Sequence, residues 1–405
     1  MSIIMVLNFM SAKQPISELQ YIPFHVPSID ESDLEAMASA MKEGWLTSGR
    51  YCKEFESEFA KYVCSKFAIT VSSGTAALLT ALKALDLKPG DEIITTPFTF
   101  CSTVHAIIQA GGTPVLCDIN RDDLQINVSE IKAKLSDKTR AILPVHYAGY
   151  PSDLEAILTI AKENNLRVIQ DAAHALGTYY KGKPIGSYDD ITCFSFYATK
   201  NITTCEGGMI SVNDESLATK MRIIKSNGID NDSYSREISK NLWYYEVVSD
   251  GIKANMADPL AALGISQLKR ADNFRLSRQE IANQYNSAFI NFEELEVPFY
   301  KLAHEMGNSW HLYPLRLNLE KISISRDEFV RELYNKGIAT SVHFIPIPLH
   351  PYFQQLLKIN PNDFPNALSE YERIFSLPIF PSMTQYQILR VINAIKDTLT
   401  AFRLN

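Results

Sequence analysis

Short apolar runs alternate along this chain with stretches whose apolar residues recur every three or four positions. Phe67–Val71 is apolar and β-prone, and the Ala/Leu pattern that follows from Ala76 turns helical. Glu92–Thr96, Pro114–Ile119, Arg140–Val145 and Arg167–Asp171 are further short apolar runs, and helical segments over Ser129–Leu135 and Ser152–Asn164 separate the later ones. A strand covered on both faces reads as a continuous apolar run, and parallel neighbours need a crossover, usually a helix. The pattern therefore predicts an α/β fold around a mostly parallel central sheet. A Tyr180–Ser187 hairpin, the run Ile191–Phe196, a strand at Met209–Val212 and a helix over Ser216–Lys225 complete its large domain.

The flanks read differently. Residues 1–20 show no period and read as an N-terminal arm. Ser32–Glu35 has the form of a capping box, opening a helix with Leu34, Met37 and Met41 on one face and Gly44 at its end. Residues 230–252 are polar and aromatic without a period, which predicts a long loop, and long loops in compact domains are usually functional. From 258 to 287 a long helical stretch with Leu263, Leu268 and Phe274 links to a smaller C-terminal α/β domain. That domain is expected to contain Ser309–Leu317, a helix over Arg326–Lys336 and Thr340–Pro346. The predicted division is an arm (1–20), a large domain (21–257), a linking helix (258–287) and a small domain (288–405).

Composition narrows the functional classes. The 405 residues are 46% hydrophobic and 21% charged with a net charge of −7, and no Lys/Arg-rich tract occurs, so a nucleic-acid surface is not expected. No apolar run approaches the ~20 residues that span a bilayer. The apolar start of the arm has no basic residue before it, so no signal peptide is expected and the cytoplasm is the expected compartment. The six cysteines (Cys52, Cys64, Cys101, Cys117, Cys193, Cys205) form no C-x-x-C, so buried thiols are expected rather than a zinc site or disulfides.

The chemistry gathers around residues 191–209. The apolar run Ile191–Phe196 delivers Lys200 into a polar turn followed at once by Glu206, Gly207 and Gly208. Partial desolvation lowers an amine's pKa and suits it to Schiff-base chemistry, and paired glycines admit close approach of backbone to a bulky group. A solvated turn lysine is the plain alternative. Other segments argue against it. Ser73, Gly74 and Thr75 open the helix after Phe67–Val71, and the first N–H groups of a helix suit a phosphate, although Ser and Thr also cap helices for structural reasons. Asp171 stands at the C-terminal edge of a central strand, where open α/β sheets bind ligands; it is also placed to cap the segment that follows. An amine, a carboxylate and a phosphate cup together describe a pyridoxal phosphate (PLP) site, in which the carboxylate keeps the pyridine nitrogen protonated.

The stretch S-F-Y-A-T-K-N-I-T-T-C-E-G-G resembles the cofactor-lysine motif of the DegT/DnrJ/EryC/StrS family of nucleotide-sugar aminotransferases, fold type I PLP enzymes. The likeness runs from about Ile22 to Pro381. It implies that Lys200 holds the cofactor, that Phe100 lies on its ring and His174 near its 3-oxygen, and that Ser195 binds its phosphate. Trp45 and Thr47 of G-W-L-T-S-G, with His311, Tyr313 and His343, match family positions at the substrate cleft. In Gly251–Met256, Lys253 and Asn255 replace the Asn and Arg of many relatives, a variant found in the branch resembling the 4-amino-4-deoxyarabinose-type enzymes. By resemblance Lys253 reaches a partner subunit's cofactor phosphate in a homodimer, and Asn255 takes the position from which the Arg of those relatives contacts substrate. The implied reaction moves an amino group from glutamate, leaving 2-oxoglutarate, to a nucleotide-linked 4-keto sugar. A 3-keto-sugar or cyclitol aminotransferase fits the same motifs. A dehydratase of this fold would carry His where Lys200 stands, and a non-catalytic binding or regulatory protein would show a decayed site.

Overall fold

The computed structural model describes residues 21–188, 190–230, 234, 236–237, 243–299 and 306–404; the predicted arm lies outside them, as does part of the predicted loop. Nine strands are described up to residue 212: β1 (Phe67–Val71), β2 (Glu92–Thr95), β3 (Thr113–Leu116), β4 (Thr139–Leu143), β5 (Arg167–Asp171), the hairpin β6 (Tyr179–Tyr180) and β7 (Lys183–Pro184), β8 (Ile191–Ser195) and β9 (Gly208–Val212). Seven of them form one sheet in the order β1-β9-β8-β5-β4-β2-β3. Strand β9 runs antiparallel to both β1 and β8, and the remaining pairs are parallel. Six strands therefore point the same way. Their C-terminal ends share one edge, and that edge carries Ser73 after β1, Phe100 after β2, Asp171 on β5 and Lys200 after β8.

Helices cover both faces of the sheet. On one side Gly74–Lys83 packs its buried Ala77, Leu78 and Ala81 with Ile69, Ile169 and Ile210. On the other, Phe55 and Phe59 of the Arg50–Tyr62 helix meet Phe194 and Phe196 at ring-centroid distances of 5.1–5.6 Å. Asp258 fixes that second helix. Its buried carboxylate accepts from the N–H groups of Gly49 (2.7 Å), Cys52 (3.1 Å) and Tyr51 (3.2 Å), replacing the cap that Gly49 has no side chain to supply.

The C-terminal region is a three-stranded antiparallel sheet, β10 (Leu295–Glu296), β11 (Tyr313–Leu317) and β12 (Ile374–Leu377), packed with the Ala271–Phe289, Arg326–Asn335 and Gln385–Phe402 helices. One apolar cluster joins Phe329, Phe375 and Ile395 of this region to Phe98 and Tyr147 beside the large sheet.

Several expectations need correction. The first helix is Glu31–Glu43 and its capping box is Asp30 with Asp33, two residues before the one read from the sequence. Its Leu34 and Met41 are exposed, whereas Asp33 is buried against Arg270 and accepts from Gln267 Nε2 at 2.7 Å. An ion pair to the break between two later helices, which amphipathic periodicity does not report, sets that face. The expected helix over 258–287 is two, Asp258–Leu268 and Ala271–Phe289, broken at Lys269–Arg270. Thr340–Pro346 contributes only an isolated bridge, Ser341 to Ser376, rather than a strand. Of the cysteines, Cys64 and Cys205 are exposed, contrary to the expected burial, and all six are free.

Asp258→Ala would leave three amide donors at a buried helix start without acceptors and is expected to lower stability by about 2 kcal/mol. Urea unfolding with an unchanged m-value checks it; a midpoint within error of wild type contradicts the assigned role.

Candidate active site

Where the shared strand edge meets the C-terminal region lies a cavity of about 400 Å³, lined by Lys200, Asp171, Ser73, Gly74, Thr75 and Ser195 together with Phe100, His174, His311 and His343. The backbone geometry explains how these come together. The Lys200 N–H closes a turn onto the Tyr197 carbonyl at 2.9 Å, so the lysine follows directly on the end of β8. Its amine is pushed down to about 8, because burial outweighs the favourable charge of Asp171. Asp171 is only 4% exposed. One carboxylate oxygen accepts from the Thr103 hydroxyl at 2.8 Å and the other from the Ala173 N–H at 3.1 Å. Burial raises its pKa, against the lowering effect of those two donors and of Lys200.

Across the cavity the chain makes a tight cradle. Ser73 caps the Gly74–Lys83 helix, its hydroxyl accepting from Ala76 N–H at 3.0 Å. A Cβ on Gly74 would lie 2.8 Å from Ser195 Cβ, and one on Gly208 would lie 2.5 Å from the Ser73 carbonyl oxygen. Side chains at either position would force the helix start away from β8 and β9. The result is a set of helix N-terminal N–H groups beside a serine hydroxyl, chemistry suited to an anionic oxygen cluster.

The remaining lining includes a cluster of aromatic rings and imidazoles, with Glu206 as a further carboxylate. Phe100 is 56% exposed, and its ring lies 5.8 Å from that of Phe344. His174 and His311 sit 4.3 Å apart, centroid to centroid. Burial, reinforced by the charge of Lys200, lowers both well below the ordinary histidine value; it brings His343 down to about 3, and His25 likewise. The lysine amine thus has neutral imidazoles as neighbours.

A family model described as the DegT/DnrJ/EryC1/StrS aminotransferase family matches residues 27–396. The chain belongs to this family. It is 44% identical over 379 residues to the spore coat polysaccharide biosynthesis protein SpsC of Bacillus subtilis, covering 93% of this chain and 97% of that one. Among solved structures it is similar to Helicobacter pylori PseC, an aminotransferase involved in the biosynthesis of pseudoaminic acid. The TM-score is 0.88 at 28% identity, over 94% of this chain and 100% of that one. Spr1654 from Streptococcus pneumoniae, solved in a PLP-form and a PMP-form, gives a TM-score of 0.87 at 28–29% identity, over 94% of this chain and 99% of each of those.

Not every residue expected at the site reaches this cavity. Tyr313 is fully buried on β11; its hydroxyl donates to Asn286 Oδ1 at 2.8 Å and its ring packs with Trp310 and Tyr285, so it is a core residue. Trp45, Thr47, Lys253 and Asn255 do not line the cavity either. They belong to a separate stretch of surface. There Lys253 Nζ donates to Asn255 Oδ1 at 2.8 Å, Asn255 Nδ2 donates to Ser48 Oγ at 3.3 Å, and Trp45 packs edge-on to Tyr234 at 5.5 Å.

Conversely, the sequence reading missed Thr103, Asn201, Phe24, His25 and Phe344. Thr103 is paired with Thr99 at 2.8 Å, four residues earlier in T-F-C-S-T, a spacing that brings side chains together only if a helix starts there. Phe24 stacks on His343 at 5.4 Å; nothing local in F-H-V-P signals a site.

The lowered lysine has a direct readout. In cofactor-free protein, trapping of Lys200 by a small aromatic aldehyde and borohydride should rise with a midpoint near pH 8, because the amine is protonated and unreactive below its pKa. Asp171→Asn removes the charge that favours the ammonium and should move the midpoint lower. Peptide mapping by mass spectrometry checks both; a midpoint above pH 10, where solvated lysines titrate, contradicts the assigned burial.

Proposed function

We propose that this chain is a PLP-dependent aminotransferase that carries an amino group from glutamate to a nucleotide-linked 4-keto sugar, working as a cytoplasmic homodimer in amino-sugar biosynthesis. The observation that carries the reading is the convergence of the Lys200 amine, the Asp171 carboxylate and the Ser73–Thr75 helix start on one cavity, within a chain of this family. The roles of SpsC and PseC, in polysaccharide and pseudoaminic acid biosynthesis, support a sugar as the acceptor.

The residues fit the cofactor. Gly74 and Gly208 keep a cradle open that a Cβ would fill. Lys200 would bind the aldehyde, the N–H groups of Gly74 and Thr75 with the Ser195 hydroxyl the phosphate, and Phe100 the ring face. His174 would sit by the 3-oxygen. When bound, PLP supplies an electron sink that lets the C–H bond beside an amine ionise. Asp171 would keep the ring nitrogen protonated, its own position held by Thr103 and Ala173. Lys200, its pKa lowered to about 8, would take the proton from the donor's α-carbon and return it two atoms along, beyond the transferred nitrogen. The neutral histidines leave that amine as the basic group nearest the transferred proton.

Lys253 of a second copy would complete the phosphate site, a role its exposed position leaves open to it. Trp45, Thr47 and Asn255 share that surface and would meet the substrate across the same interface. No helix among the described residues is long and apolar enough to cross a membrane, and a nucleotide sugar is a cytoplasmic metabolite class. The choice of C4 rests on the Lys253/Asn255 variant of Gly251–Met256, and amination at C3 is the competing outcome.

Purified protein supplied with PLP is expected to show a band at the edge of the visible range that glutamate bleaches and a keto sugar restores. Lys200→Ala should abolish the borohydride-stable adduct, and Asp171→Asn should slow transamination by roughly 10²–10⁴-fold. Paired assays with 3-keto and 4-keto nucleotide sugars decide the position. Absence of any reducible adduct on Lys200, or full activity in a strict monomer, would contradict the proposal.

A further inference from the structure

Asn201, the residue after the lysine, is held by three contacts. Its Nδ2 donates to the carbonyls of Leu176 and Ser309, both at 3.2 Å, and its Oδ1 faces His311 Nδ1 at 3.0 Å. The reverse amide orientation would set its oxygen against two carbonyl oxygens, so the orientation is determined by its neighbours. An amide oxygen only accepts, and His311 Nδ1 must therefore carry the hydrogen. A neutral imidazole has one N–H, which leaves His311 Nε2 with a bare lone pair. His174 is set the opposite way. Its Nδ1 accepts from the Ala148 N–H at 3.3 Å, so its hydrogen is on Nε2. Ala148 makes that contact from a left-handed backbone conformation (φ 59°) that non-glycine residues rarely adopt. Two adjacent imidazoles on one cavity wall thus have opposite tautomers, one an acceptor and one a donor.

A carboxylate has only acceptors and meets lone-pair repulsion at His311 Nε2. A hydroxyl donates and accepts. We infer that Asn201 is a positioning residue that locks His311 as a hydrogen-bond acceptor for a hydroxyl of the sugar substrate, so that this contact serves the keto-sugar half-reaction and not the amino-acid half. The inference rests on the proposed sugar acceptor. The strong downward displacement of both histidines agrees with it, since neither ring gains a second proton near neutral pH. His343 is not assigned in the same way, because its partner at 3.1 Å is the Ser376 hydroxyl, which either donates or accepts.

Imidazole ¹⁵N spectra of the histidine-labelled holoenzyme test the lock directly, with the His311 signal identified by its loss in His311→Phe. Wild type should show the Nδ1–H tautomer at His311, and Asn201→Ala should show a mixture. In single-turnover assays Asn201→Ala and His311→Phe should each lower kcat/KM for the keto sugar about tenfold more than they lower that of the glutamate half-reaction, with the excess loss mainly in KM. An Nε2–H tautomer in wild type overturns the inference, as does an equal loss in both halves. If no keto sugar is aminated by wild type, the sugar reading fails and the proposed contact with it, while the tautomer spectrum still decides whether Asn201 sets His311.

Discussion

The placement of an amine and a carboxylate in one desolvated space is the constraint around which this molecule is arranged. Each charged form loses hydration there, and each displacement runs toward neutrality, with Lys200 down to about 8 and Asp171 up. Two hydrogen bonds hold Asp171 at two different oxygens, and a turn closed on Tyr197 holds the lysine backbone. Both depend on strands β5 and β8 being parallel neighbours, which puts their C-terminal ends on the same edge.

The same edge explains the cradle opposite. Strand β9 returns antiparallel between β1 and β8, so Gly208 at its start lies against Ser73 and Gly74 at the end of β1. A side chain at either glycine would separate the helix start from Ser195 and open the cup. The polar network behind the pocket works in a similar way: Asn201 ties the lysine turn to Leu176 and Ser309, and Ser309 Oγ donates in turn to the His174 carbonyl at 2.7 Å. Loop segments far apart in sequence are thereby held in one arrangement around the histidines.

The burial that shapes the pocket also keeps its imidazoles from gaining a second proton. His174, His311 and His343 all face Lys200, and each is neutral over the range in which that amine titrates. Neutral imidazoles offer directional hydrogen bonds without competing for the proton, so specificity and proton transfer can reside in different side chains of one cavity.

The strands, the crossover helices, Lys200, Asp171 and the Ser73–Thr75 helix start were legible in the linear sequence because each follows from short-range physics. Buried parallel strands must be continuously apolar, a helix needs its first N–H groups satisfied, and a polar residue at the end of an apolar run falls at the sheet edge. Other features needed the tertiary structure. Strand alternation could not show that Tyr313 faces the core, and helix periodicity could not show that Asp33 is buried by Arg270 while Leu34 remains exposed. Thr103 behind Asp171 and Asn201 behind His311 act through partners 68 and 110 residues away. Such contacts depend on how elements pack against each other, and local composition has no means of expressing them.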